Sequence, residues 1–142
     1  MKTYKIYTSG KMGGLDYKSQ MEWRLRLEDR IKFLSDKKVI FIHPPKFYDY
    51  DSPNQEEAKK WEINQLLTSD IVVINLNDIS TSIGTIMELS MAYALKNYGG
   101  KPISIIGIGN PDTQHPWILS SFDNVFETPD FAADYINEYL LF

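Results

Sequence analysis

Short apolar runs rich in β-branched residues alternate along this chain with longer segments of helical spacing. The apolar runs predict five strands, at residues 5–8, 38–42, 70–76, 101–108 and 124–127. Strands that alternate with helix-length segments are typical of βαβ units around a parallel sheet. The pattern therefore predicts an α/β fold, a doubly wound (flavodoxin- or Rossmann-like) five-stranded parallel sheet with helices on both faces.

The segments between the strands carry helix start and stop signals. We predict helices over residues 17–34, from 52–53 to about 67, over 84–97 and over 129–140, with a shorter helical segment at 116–121. Two of the predicted helices begin with a hydroxyl N-cap residue followed by a first-turn proline, at residues 52–53 and 128–129. The run 71–74 is apolar on both faces, which predicts the central strand.

Composition narrows the class of protein. The chain has 142 residues, so we predict a single domain over residues 1–142. Its 15 basic and 19 acidic residues give a net charge of −4, which argues against binding polymeric DNA or RNA. The absence of cysteine excludes thiolate chemistry, and two distant histidines do not predict a metal site. We see no signal peptide and no membrane-length apolar run, which predicts a cytoplasmic protein with no membrane partner.

Glu88 is the only charged residue between Ile79 and Leu95, within the helix that follows the central strand. A carboxylate among apolar side chains is costly unless it is paired or used. Two interpretations are open at this point. Glu88 lies on a narrow solvent-facing stripe or in a structural ion pair, or it serves as a functional carboxylate in the crevice where doubly wound sheets bind ligands.

The segment around Glu88 resembles a motif of the nucleoside 2-deoxyribosyltransferase superfamily, which includes 2′-deoxynucleoside 5′-monophosphate N-hydrolases. The family motif is D/S-x-G-x-x-x-E-L, and residues 82–89 of this chain read SIGTIMEL. Further blocks follow the family's order over nearly the whole chain, at residues 5–7, 69–73, 92–94 and 123–125. The resemblance implies the doubly wound fold predicted above.

The resemblance also implies a catalytic set. In the family, the glutamate matched by Glu88 attacks C1′ of the sugar and forms a covalent glycosyl-enzyme, as in a retaining glycosidase. Glu62 matches an aspartate that protonates the leaving base or bonds to its edge; the alternative is a solvated helix residue near Lys59 and Lys60. Tyr7 matches a tyrosine that orients the nucleophile, and the alternative is an ordinary strand residue.

A substrate-binding set is implied in the same way. Ser82 stands where transferases of free nucleosides tend to have aspartate and where the monophosphate hydrolases have serine in a phosphate pocket. Serine at a helix N-terminus can bond a phosphate that aspartate would repel. The loop after the first strand offers N–H groups and a cation, although a simple turn is the alternative and the hydrolases' basic residue falls at Met12. The implied residues are Ser9, Gly10, Lys11, Met12, Gly13, Ser82, Gly84, His115, Trp117 and Asn124.

Two further groups of side chains carry predictions. His115 and Trp117 lie at the spacing from which the family contributes residues to a neighbouring subunit's site, so a homo-oligomer with shared active sites is implied; the alternative is a surface or capping role. Aromatic residues at Phe47, Tyr48, Tyr50 and Trp61 could stack on a base, or they could belong to the core or an interface.

The resulting expectation is an enzyme that cleaves the N-glycosidic bond of 2′-deoxynucleosides or their 5′-monophosphates through a glycosyl-Glu88 intermediate. The sugar passes to another base or to water, and neither a metal nor an organic cofactor is implied. A strict 2′-deoxynucleoside 5′-monophosphate N-hydrolase is one alternative. A nucleotide-binding module without catalysis is the other, since Glu62 and Ser82 both depart from the transferase pattern.

Overall fold

A computed structural model describes residues 2–47 and 54–142, which form one parallel sheet flanked by helices. The strands are β1 (Thr3–Ser9), β2 (Lys38–Ile42), β3 (Ile71–Asn75), β4 (Ser104–Ile108) and β5 (Asn124–Phe126). The helices are α1 (Tyr17–Leu34), α2 (Gln55–Leu67), α3 (Ile83–Asn97), α4 (Pro116–Leu119) and α5 (Pro129–Tyr139), with 3₁₀ turns at Pro44–Lys46 and Ile79–Thr81.

The strand order is β2-β1-β3-β4-β5, and every neighbouring pair is parallel. The connection after β1 leads to β2 on one side of the sheet, and the connection after β3 leads to β4 on the other side. The loops after β1 and β3 therefore separate and leave a crevice between them. The predicted doubly wound α/β fold is confirmed. Its ligand crevice is expected beyond the carboxyl ends of β1 and β3.

The helices cover the two faces of the sheet with separate apolar cores. On one face α1 and α5 pack through Leu27, Ile31 and Ala132 against Ile6 and Val73. The other face is covered by α2 and α3, whose packing residues include Leu66, Leu89 and Ala92. Since β3 is sandwiched between the two layers, residues 71–74 are buried on both faces, as the sequence pattern predicted.

The differences from the predicted elements are small and have local causes. β4 begins at Ser104 rather than at residue 101, because Pro102 has no N–H to donate and the N–H of Ile103 bonds back to Lys101. The predicted helix start at residues 52–53 lies outside the described residues, and α2 is described from Gln55. Over the described ranges, no helix is both long and apolar enough to cross a bilayer.

Candidate active site

A pocket of about 460 Å³ lies beyond the carboxyl ends of β1 and β3. Its walls come from the loop after β1, from α2, and from the 3₁₀ turn and first turns of α3. The predicted site residues that line it are Gly10, Lys11, Met12, Gly13, Glu62, Ser82, Gly84 and Glu88. The lining is completed by residues that the sequence pattern did not single out, namely Gln55, Glu56, Lys59, Thr81, Ile83 and Thr85.

Glu88 lies in the second turn of α3 and faces the end of β1. The Ser9 hydroxyl donates a hydrogen bond of 3.1 Å to Glu88 Oε1. The buried Tyr7 hydroxyl acts on the same carboxylate and lowers the pKa of Glu88, although the contact falls short of hydrogen-bond geometry. The Tyr7 hydroxyl and Glu88 Oε2 therefore both lack a hydrogen-bond partner among the described residues. Tyr7, predicted to orient the nucleophile, therefore lies beside the Glu88 carboxyl group. Ser9, predicted to bind substrate, instead bonds to Glu88 and does not line the pocket, so its contact with substrate stays a prediction.

Glu88 and Glu62, two of the three glutamates that line the pocket, have carboxyl groups with raised pKa values. Burial raises the pKa of Glu88 to about 7, against the opposing effects of the Tyr7 and Ser9 hydroxyls and the Arg24 cation. Burial and the negative charge of Glu88 together raise the pKa of Glu62 to about 7, against the opposing effect of the Arg24 cation. Among the described residues, Glu88 has hydroxyl groups beside it that favour its ionised form and Glu62 has none, so the arrangement favours an ionised Glu88 beside a protonated Glu62.

Arg24 is a site-proximal residue that the sequence pattern did not single out. Its side chain is fully buried, and its cation affects the pKa values of both Glu88 and Glu62. A signal was present in the sequence, because Met21, Arg24, Leu27 and Ile31 share the buried face of α1. An arginine within such a stripe indicates a buried charge with a specific role.

The predicted anion-binding residues Lys11 and Ser82 come from two different elements that line the pocket. Lys11 extends from the loop after β1 and donates to the Thr81 hydroxyl at 3.0 Å. Ser82 precedes α3, and its hydroxyl lies 2.6 Å from that of Thr85. A Cβ atom added at Gly84 would meet nothing within 4 Å, whereas one at Gly10 would lie 2.9 Å from the Trp23 ring. Gly10 is thus required by packing, and Gly84 leaves open space toward a ligand.

The remaining predicted binding residues do not line this pocket within a single chain. His115 caps α4, with its Nδ1 accepting from the Trp117 N–H at 3.3 Å, and the Trp117 side chain is 81% exposed. Asn124 begins β5 and donates to the Tyr135 hydroxyl at 2.8 Å. Their contact with substrate stays a prediction, which for His115 and Trp117 concerns a neighbouring subunit.

The aromatic residues proposed for base stacking are only partly described. The rings of Phe47 and Trp61 lie 4.9 Å apart, and neither residue lines the pocket. Tyr48 and Tyr50 lie outside the described residues. Base stacking by this group stays a prediction.

Comparison with known proteins adds information about the fold. No protein-family model and no curated protein sequence matches the chain significantly. A conserved protein from Enterococcus faecalis V583 has a similar structure, with a TM-score of 0.67 and 14% identity over 98% of this chain and 100% of that one. A 2-deoxyribosyltransferase from Bacillus psychrosaccharolyticus is also similar, with a TM-score of 0.63 and 16% identity over 92% of this chain and 91% of that one.

These likenesses extend over nearly the full length of both compared chains. At such low identity they establish a common fold. The fold implied by the sequence resemblance is thereby confirmed, and a protein described as a 2-deoxyribosyltransferase shares it.

Proposed function

We propose that this protein is a nucleoside 2-deoxyribosyltransferase-like enzyme that cleaves the N-glycosidic bond of 2′-deoxynucleosides or their 5′-monophosphates. The observation that carries the proposal is the pair of carboxyl groups, Glu88 and Glu62, which face one pocket and have their pKa values raised to about 7. Two carboxyl groups with different local partners are what a retaining glycosyl transfer requires. The fold shared with a 2-deoxyribosyltransferase supports the same activity.

In the first step, an oxygen of the Glu88 carboxylate bonds to C1′ as the bond from C1′ to the base breaks. The electron pair of that bond stays with the base, and the proton held by Glu62 moves to the base nitrogen. The transition state carries positive charge at C1′, which the Glu88 carboxylate stabilises. The Ser9 hydroxyl, 3.1 Å from Oε1, holds that carboxylate in position.

In the second step, a water molecule or a second base attacks C1′ from the side that the first base vacated. The attacking group gives its proton to the Glu62 carboxylate, and Glu88 leaves as a carboxylate. Glu62 therefore acts first as an acid and then as a base, as microscopic reversibility requires. Transfer and hydrolysis differ only in which acceptor occupies the pocket.

Product analysis tests the proposal and separates its alternatives. The protein is incubated with a panel of 2′-deoxynucleosides and their 5′-monophosphates, with and without a second free base, and products are resolved by chromatography. A new nucleoside identifies a transferase, while free base with sugar or sugar phosphate identifies a hydrolase. Saturable nucleotide binding without any base release over long incubation contradicts the proposal and selects the binding module.

The cations at the pocket mouth favour a 5′-monophosphate as substrate. Lys11 from the loop after β1 and Lys59 from α2 both line the pocket, and Ser82 also lines it at the start of α3, whose N-terminus attracts anions. We expect Lys11→Met to raise KM for a 5′-monophosphate by roughly tenfold, the effect of losing one charge-assisted contact, and to leave KM for the free nucleoside nearly unchanged. Steady-state kinetics on matched substrate pairs measures this.

Lys37→Met is the matched control, since Lys37 is exposed between α1 and β2, outside the pocket. It should alter neither KM. An equal effect of Lys11→Met on nucleoside and monophosphate would refute a phosphate contact at this residue.

We further propose that two copies share each active site, with His115 and Trp117 closing a neighbour's pocket. Large apolar side chains flank the pocket on α3 and are open to solvent, with Ile83 74% exposed and Met87 55% exposed. Trp117 on α4 is exposed as well, and exposed apolar groups of this size are typical of interfaces.

Subunit mixing tests this arrangement. We expect Glu88→Gln and a His115→Ala/Trp117→Ala double variant each to be inactive alone. If they exchange as dimers after mixing in equal amounts, roughly a quarter of the wild-type activity should return, because half of the random dimers carry one intact site. No recovery despite subunit exchange, verified by light scattering and mass-tagged subunits, would argue against shared sites.

A further inference from the structure

Arg24 is a buried cation whose hydrogen bonds go to neutral groups. Its Nε donates to the Thr8 hydroxyl at 3.1 Å, and its Nη2 donates to the Gly10 carbonyl at 3.3 Å. Its Nη1 donates to the Gln20 carbonyl. Among the described residues, no carboxylate forms an ion pair with it, although a buried charge is strongly disfavoured without a nearby opposite charge.

A chain of hydrogen bonds on the side away from the pocket holds this arginine in place. The Thr8 hydroxyl lies 2.7 Å from His43 Nδ1, and His43 Nε2 lies 3.1 Å from Glu28 Oε1. Burial lowers the pKa of His43 to about 4, so its ring is neutral and carries one proton. That proton must be on Nε2 to reach Glu28, which leaves Nδ1 to accept from Thr8. Thr8 then accepts from Arg24, and the single proton of its hydroxyl is shared between His43 Nδ1 and the Ile42 carbonyl oxygen, which lies 3.2 Å away.

Because His43 is neutral, the negative charge that balances Arg24 comes from the carboxyl groups of Glu88 and Glu62. The charge on Glu28 lies at the far end of the chain and is paired with Lys32 at 3.1 Å. The groups whose ionised forms most favour the charged form of Arg24 are instead Glu88, Tyr7 and Glu62, in decreasing order of effect. Tyr7 is neutral near pH 7 because burial raises its pKa. Charge balance therefore rests on Glu88 and Glu62.

We propose that Arg24 is a positioning residue for the active site: its buried cation, fixed by Thr8 and two backbone carbonyls, keeps one of the two pocket glutamates ionised. The mechanistic consequence rests on the proposed function, because a singly ionised pair supplies one nucleophile and one acid. The other groups facing the pair are Tyr7 and Ser9 on β1, and Lys11, Lys59 and Glu56 around the pocket mouth. These mouth residues are open to solvent, so their charges are screened more than that of Arg24.

Carboxyl titration by NMR tests this inference independently of activity. Protein labelled with ¹³C at the glutamate side-chain carboxyl is titrated from pH 4 to 9, and signals are assigned with Glu62→Gln and Glu88→Gln. We expect Arg24→Gln to raise the apparent pKa values of the pair by about one unit or more, because an opposite charge is lost. Arg24→Lys keeps the positive charge, so the apparent pKa values of the pair should return most of the way from those of Arg24→Gln to those of the wild type. Arg26→Gln, an exposed change on the same helix, should have no effect.

In kinetic measurements, the bell-shaped dependence of activity on pH should move to higher pH in Arg24→Gln. Loss of packing alone would not produce such a shift. Thr8→Val provides a structural comparison, since it disturbs the chain but keeps the cation, and should lower stability without moving the profile. Unchanged carboxyl titration in folded Arg24→Gln overturns the inference.

If Arg24→Gln does not fold, the wild-type titration decides: a pair that is still fully protonated at pH 7 contradicts the role given to Arg24. A wild-type protein without base release but with the expected titration shift would reject the proposed reaction and leave the role of Arg24 intact.

Discussion

Glu88→Gln should lower the rate of base release by about three orders of magnitude or more, a loss typical of removing a covalent nucleophile. Glutamine keeps the size of the side chain and can still accept from the Ser9 hydroxyl, but its amide cannot form the glycosyl ester at C1′. Release of free base from a 2′-deoxynucleoside or its 5′-monophosphate, followed by chromatography, measures the effect. Near wild-type release by the variant would contradict the nucleophilic role.

The same variant should be folded and more stable than the wild type at alkaline pH, which separates loss of chemistry from loss of structure. Burial raises the pKa of Glu88 from 4.5 to about 7 in the folded protein. A carboxyl group with a raised folded-state pKa contributes most stability below about pH 4.5, and that contribution is lost as the pH rises through 7. Glutamine cannot ionise, so it avoids this loss.

At pH 8 we expect the free energy of unfolding of Glu88→Gln to exceed that of the wild type by about 2 kcal/mol, allowing for solvent screening in an open pocket. At pH 4.5 the two proteins should differ little. Denaturant unfolding at both pH values measures this. Glu138→Gln, an exposed change on α5, is the control and should behave like the wild type at both.

Glu62→Gln should produce the second-largest loss, about 10² to 10⁴-fold in the first step, because the leaving base loses its proton donor. The loss should depend on the leaving group. In a 2-deoxyriboside of an acidic phenol, the phenolate leaves without being protonated. The first step with this substrate should therefore be nearly unaffected by Glu62→Gln. Comparing the two substrates by burst kinetics measures the donor's contribution directly.

The pH profile gives a second test of Glu62. Activity requires ionised Glu88 and protonated Glu62, and both pKa values are raised to about 7, so the wild-type profile should be a narrow bell near neutral pH. Glu62→Gln should abolish the decline on the alkaline side, whereas Glu62→Asp, which keeps an acid, should retain it. An alkaline decline that persists in Glu62→Gln would assign the proton donor to another group.

The sequence was informative about the fold because its strongest signals are local. The doubly apolar run at 71–74 predicts the central strand from composition alone, and glycine or proline marks most loops. Glu88 was identifiable since it is the one charged residue between Ile79 and Leu95, in a largely apolar stretch of the chain. Placement of Glu62 depended on the resemblance, as its helix also carries exposed lysines that make a solvated glutamate equally consistent with the pattern.

Features created by long-range packing were not predictable in this way. Arg24 becomes a buried cation only when α1 packs on β1 and brings it to Thr8, sixteen residues earlier in the chain. Lys59 reaches the pocket only because α2 crosses beside the loop after β1. The raised pKa values of Glu88 and Glu62 likewise arise from two separate helices facing one cavity, a proximity that spacing along the chain does not encode.

Trapping the covalent intermediate tests the central claim most directly. A 2′-deoxy-2′-fluoro nucleoside carrying a base that the enzyme releases should form the glycosyl-enzyme and hydrolyse slowly, because fluorine destabilises the cationic transition state. Trypsin leaves Glu62 and Glu88 on one peptide, residues 61–96, so fragmentation must locate the adduct. We predict the sugar on Glu88. An adduct on Glu62, or release of one equivalent of base with no adduct on any residue, would contradict the account.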